Sequence, residues 1–190
     1  MFDTFKKWKA LAKNETGKRL KCLRSNNGGK YYSKEFDSYC SHNGIHREKT
    51  VPGTPQENGV SERMKRMIME RARCMRLHVV LPLQFWVDVV NNVVYLINRG
   101  PSNALDGGIL EEEWTCKKVN YSFLRTFGCE AFVHIDKENI TKLDAKSKKC
   151  TFIGYEVDDI GYRLWDYENH KIIRIRDVVF NERVMYKDWL

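Results

Sequence analysis

The sequence predicts an α/β half followed by a β half. Three observations carry this. Apolar residues recur at helical spacing through most of residues 1–100, with two short strand-like runs among them; the stretch after Pro101 breaks into β-rich runs separated by turn residues; and no internal repeat or low-complexity tract interrupts either half. At 190 residues, with 42% hydrophobic and 12% aromatic content, the chain can bury a core of ordinary size.

In residues 3–16, Phe5, Trp8 and Leu11, with Phe2 and Ala12, recur among lysines and predict a helix with one buried stripe. "KRLKCLR" then reads as a short strand running into an Asn-Gly-Gly turn, where Gly28 and Gly29 permit backbone angles other residues avoid. "SKEFDSYCSHNG" predicts a second helix capped by Ser33 and ended by Gly44, and "IHREKTV" a second strand. "PGTPQENG" reads as a breaker-rich connection. From Val60 to His78 a third helix places Val60, Met64, Met67, Ile68 and Met75 on one side, and "LQFWVDVVNNVVYLINR" is a fourth, apolar around most of its circumference.

Beyond Pro101, "EAFVHI", "KCTFIGYE", "GYRLWDY" and "KIIRIRDVVF" alternate with turns such as "VDDIG" and "ENH", the spacing of a small antiparallel barrel or sheet. The expected organisation is a first part over residues 1–100, a connecting segment over 101–118 and a β part over 119–190.

Charge narrows the partner. The net charge is +8 and the pI about 9.2, and residues 1–30 hold nine Lys or Arg against Asp3 and Glu15, which points to a polyanion. "MFDTFKKWKALAK" has charges where a secretion signal needs an apolar core, and no window reaches the roughly 18 apolar residues of a membrane span. The expectation is an intracellular protein of nucleus or cytoplasm with no membrane partner. Six cysteines without CxxC spacing fit reduced thiols. Cys40, His42 and His46 cluster in "YCSHNGIH", but a fourth zinc ligand is lacking and ordinary turn residues are the stronger reading.

The chemistry-bearing candidates lie on the opening loop and the third helix. Glu62 follows Asn26 by 36 positions, and at about 100° per residue Arg66, Arg73 and Arg76 share its side of the helix, with Arg63 and Lys65 beside it. A carboxylate there could hold a divalent cation while the basic side chains hold phosphates. The plainer reading is an i, i+4 pair of Glu62 with Arg66 on a solvated face, worth about 0.2–0.5 kcal/mol. In the β half the aromatics Phe127, Phe132, Phe152, Tyr155, Tyr162, Trp165 and Tyr167 read as core before they read as base-stacking platforms. The run Lys142, Lys146, Lys148 and Lys149 suits phosphate contact or a solvated loop equally.

"LRSNNGGKY", "NGIHREKTVPGTPQENGVSERMKR", "LPLQFW", "YLINRGPS" and "FGCEAFVHI…KLDAKSKKCTFIGY" together resemble the integrase region of copia-type LTR retrotransposon Pol polyproteins, over nearly the whole chain. The resemblance implies an RNase H-like integrase core, truncated so that its first strands are missing, followed by a small SH3-like antiparallel β domain. It further implies strand-transfer activity through two aspartates and a glutamate holding Mg²⁺ or Mn²⁺. The second aspartate and the glutamate correspond to Asn26 and Glu62; the first aspartate would precede residue 1. Where the family loop reads Ser-Asp-Asn-Gly-Gly-Glu, this chain has Asn26 for the catalytic acid and Lys30 for the later glutamate.

The resulting expectation is a nucleic-acid-binding remnant of an integrase, no longer catalytic, with DNA as partner. Self-association or pairing with a full-length relative would cover the exposed sheet edge. The alternatives are a surviving enzyme in which Asn26 is tolerated, and a co-opted module whose β domain binds protein.

Overall fold

The computed structural model describes residues 2–25, 33–51, 55–135, 145–156 and 161–189, with backbone only over 55–58. Its packing divides the chain into two units, Met1–Arg66 with Glu111–Lys117, and Met67–Leu110 with Lys118–Leu190. In the second unit Ala72, Val79, Val89 and Val93 share one core with Ile153.

The first unit is built on a strand–helix–strand segment. Helix α1 (Phe2–Thr16) precedes β1 (Cys22–Ser25), α2 (Lys34–His42) and β2 (His46–Lys49). The strands pair in parallel, Cys22 opposite His46 through Ser25 opposite Lys49, which requires a crossover, and α2 supplies it. Ser33 starts α2 as expected, its hydroxyl accepting from the Phe36 N–H at 3.1 Å, and Gly44 leaves it with φ +64°. Phe36, Cys40 and Ile45 form the core, with Phe2, Phe5, Leu20, Leu23 and Tyr39 packed on it. Arg47 lies over the Phe36 ring at 5.0 Å and pairs with Asp37. The short helix α5 (Leu110–Thr115) also belongs here; its Trp114 indole N–H donates to Glu15 at 2.7 Å.

The second unit joins helices to a sheet. Helix α3 (Pro55–Val79) ends in it, and a 3-10 turn (Leu83–Phe85) leads into α4 (Trp86–Arg99). The sheet has five antiparallel strands, β3 (Cys129–His134), β4 (Ser147–Tyr155), β5 (Tyr162–Asp166), β6 (Lys171–Ile175) and β7 (Val178–Met185), in the order β6-β5-β4-β3-β7. The expected β half is present, but the run "KIIRIRDVVF" forms two strands, β6 and β7, so five strands stand where four runs were read. Central β4 is buried on both faces. Ile153 packs with Ala72, Val79, Leu81, Phe85, Val89 and Val93 of the helical side, while Phe152 packs with Cys129, Ala131, Cys150 and Leu164 on the other. Each Val, Leu, Ile or Phe side chain among them stabilises the fold by about 1.5–3 kcal/mol.

Two polar arrangements hold this unit. Asp166, fully buried, receives N–H bonds from Glu168 at 3.1 Å and Asn169 at 3.2 Å, the Asn169 amide at 2.9 Å and the Lys148 ammonium at 2.9 Å. It thereby closes the β5–β6 turn. Arg163 on β5 reaches Asp88 of α4 at 2.9 Å and Glu156 at 3.6 Å, and Arg174 of β6 joins Glu156 at 3.0 Å, tying the helix to two strands and the residue that follows β4.

Of the six thiols, Cys40, Cys129 and Cys150 are buried and Cys22, Cys74 and Cys116 exposed, and none is oxidised to a disulfide. Burial, reinforced by the Glu182 carboxylate, pushes Cys129 up to about 12; burial and Asp166 push Cys150 up to about 11. Among the described residues no helix is long and apolar enough to cross a membrane.

Gly128, at φ +82°, enters β3 so close to α3 that a Cβ would overlap both methyls of Val79. Gly128→Ala should cost about 2–4 kcal/mol through strain and overpacking, measured by urea unfolding. Burial opposes ionisation of Asp166, but its bonds from Asn169 and Lys148 prevail and hold the carboxyl below its ordinary range. Its contribution is therefore complete at neutral pH and lost as pH falls through that lowered value. Melting temperature should drop on acidification, and Asp166→Asn should melt lower at pH 7 with a flatter acid limb.

Candidate nucleic-acid interface

Helix α3 carries most of the candidate site residues. It begins at Pro55, five residues earlier than the apolar pattern indicates, because proline suits the first helical position and the following Gln and Glu are good helix formers. The breaker-rich reading of "PGTPQENG" gave too much weight to Gly59, which the helix absorbs. The expected apolar stripe is only half covered. Ala72 and Val79 are buried and Met67, Ile68 and Met75 half-buried, but Val60 is 72% and Met64 42% exposed. Cover comes from Phe85, Val89 and Val93, which pack against the C-terminal half of the helix.

On the other side, Glu62, Arg63, Lys65, Arg66 and Arg73 are all exposed. The four cations make no ion pair among the described residues. Glu62, Arg66, Arg73 and Arg76 lie along one side of a single helix, as their spacing predicts. Arg76 behaves differently: it is half-buried, and its guanidinium donates to the Leu81 carbonyl at 3.0 Å, just past the helix end, where Leu81 N–H in turn donates to the Arg76 carbonyl at 3.2 Å. This is the capping role basic side chains take at helix C-termini.

Asn26, Gly28, Gly29 and Lys30 lie outside the described residues. Strand β1 ends at Ser25, whose carbonyl accepts from Thr50 N–H at 3.2 Å. Among the described residues there is no group of three or more His, Cys, Asp and Glu placed to hold a metal ion. The thiol of Cys40 is in the core, and His42 Nδ1 lies 3.1 Å from the Ser38 carbonyl, so the "YCSHNGIH" cluster is turn and core chemistry.

In the sheet, Phe127, Phe152 and Tyr155 are core residues; Tyr162 donates its hydroxyl to the Phe123 carbonyl and Tyr167 pairs with Thr151. Burial pushes Tyr155 up to about 12, and its hydroxyl oxygen accepts the Arg125 N–H at 2.8 Å. Of the lysine run, Lys148 is spent on Asp166 and Glu168, and Lys149 on Glu130 at 2.9 Å and the Trp189 ring at 3.8 Å. Lys146 is exposed, and Lys142 lies outside the described residues. Sequence reasoning missed Asp166 and Arg163. For Asp166 a local signal existed, an aspartate three residues ahead of an asparagine in a hairpin turn; for Arg163 the partners are too distant in sequence to leave one.

Residues 129–189 match the family model described as "Retroviral polymerase SH3-like domain". Over 96% of its length the chain is 56% identical to the Retrovirus-related Pol polyprotein from transposon TNT 1-94 of Nicotiana tabacum, covering 14% of that protein. Over 95% it is 33% identical to the corresponding polyprotein from transposon RE2 of Arabidopsis thaliana, covering 12% of it. The chain thus spans about one-seventh of the length of these relatives. A cryo-EM structure titled as the simian T-cell lymphotropic virus intasome in complex with PP2A regulatory subunit B56 gamma contains a chain 14% identical, with TM-score 0.44, covering 88% of this chain and 59% of that one.

The different environments of the basic residues separate by mutation. Arg76→Ala should lower stability by about 1–2 kcal/mol through loss of the Leu81 cap, while Arg66→Ala and Arg73→Ala should stay within about 0.5 kcal/mol of the parent in the same denaturant titration.

Proposed function

Because the chain belongs to the retrovirus-related Pol polyproteins of plant transposons, as a homologue of one region of them that ends in the SH3-like domain, we propose that it is an integrase-derived, copia-type protein that binds DNA and no longer performs strand transfer. The observation that carries the binding half is the exposed set Arg63, Lys65, Arg66 and Arg73 on α3, without an ion pair among the described residues, joined by the basic excess of the first thirty residues. Cations without carboxylate partners among the described residues suit backbone phosphates, since no ion pair there must be broken before they bind. The partition at residues 100 and 119 is then one of inheritance, an RNase H-like core followed by its SH3-like neighbour, and self-association or pairing with a full-length relative is part of the same proposal.

The donor set supports the inactive half. A pair of divalent ions needs anionic oxygens against its own repulsion. Asn26 supplies a neutral amide, and Glu62 is a single carboxylate on a solvated helix with Arg63 and Arg66 beside it. Each missing unit charge at about 4 Å, with an effective dielectric near 20, forgoes roughly 4 kcal/mol per opposite unit charge. These residues do not fit the metal pair of the family, and no catalytic step is assigned to them.

Fluorescence anisotropy with a labelled duplex tests the binding half. Affinity should fall steeply between 50 and 200 mM salt, and each of Arg63→Ala, Arg66→Ala and Arg73→Ala should flatten the log–log salt slope by about 0.9. Binding that ignores salt would favour the protein-interaction reading. Incubation with a transposon-end oligonucleotide and Mn²⁺ should give no joined product, and any such product, lost in Glu62→Gln, would overturn the inactive half.

A further inference from the structure

Within the second unit, a cleft of about 640 Å³ opens between the C-terminal half of α3, α4 and the residues leading into β3. Its walls are apolar, from Met75, Val79, Val93 and Phe127, and its volume lies within the roughly 300–1,000 Å³ of small-molecule sites. Two further features distinguish it from a packing defect. Arg71 and His78 line it from α3, seven residues apart and so on one face, and Arg71 is exposed with no ion pair among the described residues. Behind Met75 and outside the lining, Asn92 of α4, 2% exposed, donates its amide N–H to the Met75 sulfur at 3.3 Å, while its Oδ1 is buried with no hydrogen-bond partner among the described residues.

A buried carbonyl without a donor calls for an explanation, since native structures satisfy nearly all such groups. Among the described residues only the thioether of Met75, itself a wall of the cleft, is bonded to that amide. Methionine is unbranched and rotates readily, so its side chain can swing aside and open a path from the cleft to Asn92. We infer that the cleft binds a flat aromatic molecule carrying a hydroxyl or N–H donor at its inner end and an anionic group at its outer end. The ring packs among Met75, Val79, Val93 and Phe127; the donor satisfies Asn92 Oδ1; the anion meets Arg71, with His78 beside it. No bond is made or broken. This site is independent of the α3 residues assigned to DNA, and it stands or falls without them.

Isothermal titration of the full chain with three probes tests it: 6-hydroxy-2-naphthoate, 2-naphthoate, which lacks the donor, and 2-naphthol, which lacks the anion. The hydroxynaphthoate should bind at one site, at least tenfold more tightly than either. Arg71→Gln, a surface change, should erase its advantage over naphthol but not over naphthoate. Asn92→Leu, confirmed folded by its thermal melt, should erase the advantage over naphthoate but not over naphthol. Absence of saturable binding, equal affinities for the three probes, or advantages that survive these substitutions would each overturn the inference, and the probe comparison on the unaltered chain decides even if Asn92→Leu fails to fold.

Discussion

The second unit depends on one close approach, that of the backbone entering β3 to the end of α3. Only a glycine allows it, because Val79 occupies the space where the Cβ of residue 128 would stand. With that distance set, Phe127 and Ile153 reach the helical core while Cys129 and Ala131 turn to the opposite cluster. The sheet therefore packs against helical residues through Ile153 and against a second cluster through Phe152, and its middle strand is buried from Cys150 to Tyr155. A strand in that position must be apolar at successive residues, and "CTFIGY" is such a run.

Much of this was legible in the chain and the reasons are local. Ser33 caps and Gly44 releases α2, and both act within four residues; the β half announces itself through alternation and turns. What could not be read depended on partners far away in sequence. The all-round apolar character of α4 indicated a sandwiched helix without indicating that one of the two slices is a strand 50 residues later. The start of α3 failed for a different reason: Pro55 and Gly59 look alike as breakers in one dimension, whereas proline at a first turn and a single glycine in a 25-residue helix cost little against the turns that follow.

The candidate interface divides in the same way. Helical period was sufficient to align Glu62, Arg66, Arg73 and Arg76, but not to say which cations are free. Arg76 sits at the helix end, where an unsatisfied carbonyl competes for it, and Lys148 and Lys149 sit in strands beside carboxylates of neighbouring strands. Freedom from internal partners is a tertiary property. It leaves Arg63, Lys65, Arg66 and Arg73 among the exposed cations with no ion pair within the described residues.

The thiols have a consequence for any study of how this protein opens. Cys40 is sealed in the first unit, and Cys129 and Cys150 in the second, whereas Cys22, Cys74 and Cys116 face solvent throughout. A short pulse of alkylating reagent will therefore stain the three outer sulfurs at once and reach the inner three only as their surroundings loosen. The chain carries, without any engineered label, separate clocks for the melting of its two halves.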